Sequence, residues 1–373
     1  MMWQNDSAQS GRLFVELLRL SLHPQKGQAL NRVPTDGEWR KLFGECRRHS
    51  LVAMMYEAVA CLPAVQRPPR DVLLPWYALT ERVKRQNALL NTEAARVCAQ
   101  LERDGLPNVL LKGQGVALLY PRPELRMPGD IDLWIAAGRQ TMMRYVRNKG
   151  WRVHTTLLHT EFPMSEVTEV EAHFMPSYRY NPLRHWQMCR LFESIKDEQL
   201  QHKVPLESCG NTLVSVPTAA FNRVYLLAHI YRHFFGEGIG LRQLVDYYYC
   251  LHKGFSAGET ERTVCWLKQM GLYRFACAMM YVMHTLFQLP DQYLYAVPDE
   301  RLGRMLLREV MLAGNFGQQD QRYAMLNSSN RFARFWTKTR RNVSFLRDYP
   351  GEVLFDVPFR MWHYVWRKLH GYL

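Results

Sequence analysis

Two aspartates separated by one residue stand at the entry to an apolar run, Asp130-Ile131-Asp132-Leu133-Trp134-Ile135. In a strand, residues i and i+2 share a face, so Asp130 and Asp132 project together while Ile131 and Leu133 turn the other way. Two such charges about 4 Å apart repel by about 4 kcal/mol at an effective dielectric near 20. A fold keeps the pair most easily with a cation between them. Hard oxygen ligands at a small site suit Mg²⁺, which takes one or two carboxylates together with substrate phosphates. A second acidic alternation follows in Val167-Thr168-Glu169-Val170-Glu171-Ala172-His173-Phe174, where Glu169, Glu171 and His173 fall on one face of an expected strand. Upstream, the apolar Val109 to Leu111 runs into Lys112-Gly113-Gln114-Gly115, which reads as a buried strand turning sharply into a helix. Gly113 lets the backbone approach a phosphate closely, with the amides that open the next helix facing it. Lys112 adds a point charge there. Arg126, four residues before Asp130, can reach a phosphate or fork onto a carboxylate.

Other candidates have plainer readings. His229 and His233 sit at i, i+4, a spacing that can chelate a metal, but there is no HExxH glutamate and the helix is largely apolar and aromatic. A packed, hydrogen-bonded histidine pair is the expectation. The glycine-rich Gly236 to Gly240 leads into Leu241-Arg242-Gln243-Leu244-Val245-Asp246, whose Arg242 and Asp246 can pair on a helix surface.

The elements that must position these residues fall into four stretches. Residues 1–104 read as a helical module: Arg12 to His23, Trp39 to Leu62 with a break near His49-Ser50, a Pro-rich connection from Pro63 to Pro75, and a long helix from Trp76 to Arg103. Residues 105–216 carry the chemistry and alternate strand and helix. The expected order is strand Asn108 to Leu111, helix Val116 to Tyr120, strand Asp130 to Ile135, helix Gly138 to Lys149 and strand Trp151 to Thr155. Short strands over His159 to Pro163 and Val167 to Phe174 follow. That pattern argues for a mixed sheet covered by helices, an α+β fold with helical N-terminal and C-terminal regions. Residues 217–330 read as a helical domain, preceded by helix Leu183 to Leu200 and an extended piece Thr212 to Val216. Its helices are Thr218 to Phe235, Leu241 to Leu251, Glu259 to Met270 and Tyr273 to Phe287, and it ends in a polar stretch from Gly314 to Asn330. Residues 331–373 form a basic, aromatic tail. Its arginines (Arg334, Arg340, Arg341, Arg347) interleave with Phe335, Trp336, Trp362 and Trp366, a pattern for packing against the helices or for stacking on nucleic-acid bases.

The bulk numbers bound the function classes. The chain has 373 residues with 48 Lys+Arg against 34 Asp+Glu, a formal net charge of +14. Such a balance favours phosphate-rich partners: nucleotides, nucleic acid or anionic surfaces. Eight cysteines lie scattered without a CxxC pair, which supports neither zinc nor a disulfide framework and fits reduced, cytoplasmic thiols. The apolar Leu13 to Leu22 is broken by Glu16, Arg19 and Ser21, so it reads as an amphipathic helix and not as a signal peptide or membrane span.

Taken together, the Lys-Gly turn, the arginine before Asp-Ile-Asp-Leu, the later acid-x-His and the Gly-Leu-Arg-Gln-Leu-x-Asp segment resemble the uncharacterised nucleotidyltransferase family of bacteria. That family falls within the polymerase-beta-like superfamily. More distantly the chain resembles the nucleotidyltransferase toxins of abortive-infection systems. The resemblance covers roughly residues 105–250. It implies that Asp130, Asp132 and a third carboxylate, Glu171 with Glu169 as the alternative, are catalytic and bind Mg²⁺, as two ions, with Mn²⁺ as a substitute. It implies nucleotide and phosphate contacts from Lys112, Gly113, Gln114, Arg126 and Arg242. Gln114 stands where many superfamily members carry Gly or Ser. His173 is expected to orient the glutamate or cap the sheet by a hydrogen bond, in preference to ligating metal directly. The implied reaction moves a nucleoside monophosphate from an NTP to an acceptor hydroxyl on RNA (such as a tRNA end), a protein or a small molecule, releasing pyrophosphate. The competing expectation is a degenerate fold that binds nucleotide or nucleic acid without catalysis.

Overall fold

The computed structural model describes residues 6–206, 210, 212–256, 258–314 and 330–372. Four helices come first: α1 (Asp6–Leu22), α2 (Asp36–Arg48), α3 (Val52–Cys61) and α4 (Arg70–Arg103). Thr35 and Glu38 form a capping box that starts α2, and the break expected at His49-Ser50 separates α2 from α3. The long helix begins earlier than the Pro-rich connection implied. Pro69 precedes it, and Pro75 lies inside it, near enough to its start that only a first-turn carbonyl loses its partner.

The sheet follows. Its strands are β1 (Asn108–Leu110), β2 (Ile131–Ile135), β3 (His159–Glu161) and β4 (Val170–His173), in the order β1-β2-β4-β3. The pairing is mixed: β2 and β4 run parallel, while β1 on β2 and β3 on β4 are antiparallel. The short helix α5 (Gln114–Ala117) sits between β1 and β2, and α6 (Gly138–Asn148) follows β2. The strand expected over Trp151 to Thr155 does not form. Thr155 makes one isolated bridge to Thr160, and Trp151 spends its surface on Tyr145 and Phe162 instead. The strand expected from Val167 begins only at Val170.

Both faces of the sheet are covered. Ile131, Leu133 and Ile135 pack with Val170 and Ala172 against the C-terminal half of α4 and against α6. Trp134, on the face that also carries Asp132, enters a separate core made by the helices and stacks on Phe221 with ring centroids 5.9 Å apart. That core joins N-terminal residues (Leu17, Trp39, Met55) to later ones (Tyr225, Tyr247, Met283).

The later helices are α7 (Pro182–Ser194), α8 (Lys196–Gln201), α9 (Ala219–Gly236), α10 (Leu241–His252), α11 (Glu259–Gln269), α12 (Tyr273–Phe287), α13 (Glu300–Ala313), α14 (Arg331–Val343) and α15 (Pro350–Leu369). Between α8 and α9, β5 (Lys203–Leu206) pairs antiparallel with β6 (Thr212–Ser215). The sequence pattern marked neither β5 nor α13. Most of the polar stretch expected from Gly314 to Asn330, and Cys209, lie outside the described residues. The tail is a pair of helices in which Phe345 and Tyr349 of the connecting turn and Val353 of α15 are buried, whereas Phe332, Trp336, Trp362 and Tyr364 are exposed. Among the described residues, no helix is long and apolar enough to cross a membrane.

Candidate active site

The register of one parallel pair decides the acidic site. Asp132 on β2 lies opposite Glu171 on β4, and Ile131 lies opposite Val170. Cross-strand partners project to the same face, so Glu171 stands beside Asp132. Glu169 falls before the strand, where its carbonyl accepts the Ile131 N–H, and its side chain is exposed. Of the two glutamates, Glu171 is the one that joins Asp130 and Asp132 in lining a cavity of about 750 Å³.

His173, two residues beyond Glu171, points the same way. Its Nε2 lies 2.8 Å from Asp132 Oδ1 and 3.2 Å from Glu171 Oε2, so it bridges two acids and not the glutamate alone. Lys112 closes the other side, with Nζ 2.6 Å from Asp132 Oδ1. Its ammonium therefore rests on an aspartate, while the side chain still lines the cavity. Gly113 makes the turn possible. Its φ is +53°, and a Cβ there would meet the Asp130 carbonyl oxygen at 2.8 Å.

The charges respond to this crowding. Asp130 has its pKa raised by burial and then by repulsion from Asp132, Glu171 and Glu169. Burial pushes Asp132 the same way, but the Lys112 ammonium and the His173 contact outweigh it and hold its carboxyl well below the usual range. Glu171 is likewise lowered, with burial opposing and the His173 hydrogen bond prevailing. His159 on β3 has its Nδ1 3.5 Å from Glu171, and burial lowers its pKa to about 4. Three carboxylates that raise one another's proton affinity in one cavity fit a divalent cation, which relieves that repulsion. His159, Glu171 and His173 also bring ligand atoms within 4.8 Å of one another, a nitrogen-and-oxygen set that suits a transition-metal ion better than Mg²⁺, whose ligands are oxygens.

Three of the residues expected at the phosphates are placed differently from one another. Arg126 is buried and forks onto Asp246 of α10, with Nε–Oδ1 at 2.7 Å and Nη2–Oδ2 at 2.9 Å. Tyr120 donates to the same carboxylate at 2.7 Å. The fork thus falls on Asp246 and not on Asp130 or Asp132, making Arg126 a strut between the aspartate loop and α10. Gln114 turns into α4, where its amide donates to the Asn87 carbonyl and to Asn91 Oδ1, and it contributes nothing to the cavity lining. Arg242 does line the cavity, beside Gly129, but the expected surface pair with Asp246 is not what α10 presents, because Asp246 is buried under Arg126 and Tyr120.

Two features escaped the sequence pattern. Asn87 in the middle of α4 donates to the carbonyls of Glu124 and Arg126, both at 2.8 Å, and so holds the segment that leads into Asp130. Nothing in its sequence surroundings marks it. The other is the second wall of the cavity, built from α9 and α10. His229, Arg232, His233 and Glu237 line it, and the i, i+4 histidine spacing was its visible sign. The pair is packed as expected, with ring centroids 4.4 Å apart, but among the described residues hydrogen bonds reach His233 alone, and both rings face the site.

A model of the uncharacterised nucleotidyltransferase family matches residues 35–288. The chain belongs to this family. Its match takes in α2 to α12 and therefore both walls of the cavity. No curated protein matches the chain.

Proposed function

We propose that this nucleotidyltransferase is Mg²⁺-dependent and transfers a nucleoside monophosphate from an NTP to an acceptor hydroxyl, releasing pyrophosphate. The observation that carries the reading is the Asp132–Glu171 register, which sets three carboxylates, with Asp130, beside Lys112 in one cavity. Asp130, Asp132 and Glu171 would hold the metal. Bound Mg²⁺ would supply Lewis-acid stabilisation of the charge that develops on the attacking and leaving oxygens. Lys112 exchanges its Asp132 contact for the triphosphate, and Arg242 meets the phosphates from the α10 wall. The Gly113 turn keeps the backbone open to close approach. Positioning and electrostatics then do most of the work, as in other phosphoryl transfers. The net charge of +14 favours a polyanionic acceptor, so RNA is the proposed class, in the cytoplasm, where the scattered cysteines stay reduced.

The test incubates the protein with each α-phosphate-labelled NTP, Mg²⁺ and whole-cell extract, then separates RNA, protein and small molecules. Label is expected in RNA, and it should vanish with EDTA and in the Asp130→Asn/Asp132→Asn double variant. Label in protein or small molecules would move the acceptor class. NTP affinity that persists without metal, with no transfer to any fraction, would make this a binding module.

A further inference from the structure

We propose that His229 is the general base of the transfer, accepting the proton of the acceptor hydroxyl as that oxygen attacks the α-phosphorus. This rests on the transferase reading above. In the step, the acceptor O–H bond breaks and a bond from that oxygen to the α-phosphorus forms. The bond from the α-phosphorus to the bridging oxygen breaks, pyrophosphate leaves with that electron pair, and the proton passes to the imidazole and then to solvent.

The position of His229 follows from the fold. Trp134 and Asp132 share a face of β2, and Trp134 stacks on Phe221 of α9. The helix therefore runs over the acidic face, and eight residues on, about 12 Å along its axis, His229 reaches the cavity that Asp130, Asp132 and Glu171 line. The ring is only 8% exposed, yet its nitrogens make no hydrogen bond among the described residues. A polar ring that lines the cavity without a hydrogen bond to the protein is open to a ligand there. Two of the neighbouring imidazoles, His233 and His173, are committed elsewhere. His233 has Nδ1 3.0 Å from Glu237 and Nε2 2.7 Å from the Arg232 guanidinium. A guanidinium only donates, so His233 Nε2 accepts and its proton sits on Nδ1. His173 Nε2 bridges Asp132 and Glu171, and His159, whose Nδ1 makes no hydrogen bond among the described residues, lies 3.5 Å from Glu171 on the sheet wall.

His229 also keeps the lone pair a base requires. Burial, then Lys112 from the turn after β1, His233 and Arg232 on its own helix, and His173 from β4 all disfavour its charged form, so the ring is neutral at pH 7. A triphosphate entering beside Lys112 brings negative charge that raises its proton affinity towards the range in which a base works best.

The experiment compares wild type, His229→Ala and His229→Gln for transfer of labelled NMP to the fraction that wild type labels. Binding of an α,β-methylene NTP with Mg²⁺ is measured in parallel. His229→Ala should lower transfer by about 10²–10⁴-fold with analogue affinity within about threefold. Added imidazole should restore part of the loss, and His229→Gln should lack the acidic limb of the pH–rate profile. Transfer by His229→Ala at wild-type rate would overturn the proposal. So would a parallel loss of analogue binding, or full activity in His229→Gln. If wild type itself binds the analogue but labels nothing, the transferase reading fails, and the base with it.

Discussion

The two walls of the cavity are built by opposite logics. On the sheet wall, three acids are gathered by strand alternation and by one parallel register, and two of them are answered by a cation or proton donor within about 3 Å: Lys112 and His173 on Asp132, His173 on Glu171. On the helix wall, α9 carries His229, Arg232 and His233 in a helix that is otherwise buried on nearly every side, and one imidazole is left without a partner. The sheet wall concentrates negative charge that wants a metal. The helix wall supplies neutral imidazole and guanidinium that want a substrate. A transferase needs both, because the charge that develops at phosphorus and the proton that leaves the acceptor are handled by different groups.

The sharpest break of that contrast is Glu171→Gln. Removing the register-matched acid should cost on the order of 10³-fold in transfer, several kcal/mol of charge stabilisation, measured as labelled NMP incorporated per minute. Next comes the strut that joins the walls. Arg126→Met leaves the buried Asp246 without its fork, and loss of one member of a buried pair costs about 3–5 kcal/mol. Urea denaturation should show it, with partial recovery in the Arg126→Met/Asp246→Leu double variant.

Acid should then act mainly on the buried imidazoles. Burial lowers His49 to about 3 and His233 to about 4, and drives His229 down as well. Above pH 6.5 neither folded nor unfolded chain protonates these rings. Between there and about pH 4 the unfolded chain takes up protons that the folded one refuses, so stability falls as pH drops. For His49 and His233 the loss by pH 5 is at most about 2 kcal/mol each, readable as a lower thermal midpoint at pH 5 than at pH 7. The smallest effect belongs to Glu169→Gln, which should leave transfer within about threefold. A loss as large as that of Glu171→Gln would mean that the register does not choose the acid.

Much of the sheet wall was legible in the chain. Asp-x-Asp at a strand entry, glycine at a turn and acid-x-His on a later strand are local patterns, and local backbone geometry alone places such residues on one face. The helix boundaries around His49-Ser50 and over α9 to α12 followed from the same kind of periodicity. What local pattern missed was long-range. Arg126 was open to a phosphate or an aspartate, because nothing within a few residues reveals that Asp246 will arrive 120 positions later. Gln114 looked like part of a phosphate grip, yet Asn87 and Asn91 on α4 draw it inward. The histidines at i, i+4 were read as packing because their helix is apolar on most sides.

From its order of residues alone, this chain determined that two aspartates and one of two glutamates would be presented by strands beside a glycine turn, since strand alternation and backbone sterics act between neighbours. Only the tertiary structure decided that Glu171 is the third acid, that Arg126 braces α10, and that His229 closes the cavity. Those outcomes depend on which strand lies beside which and on which helix crosses the sheet, and such pairings are settled by burial of surfaces far apart in the chain.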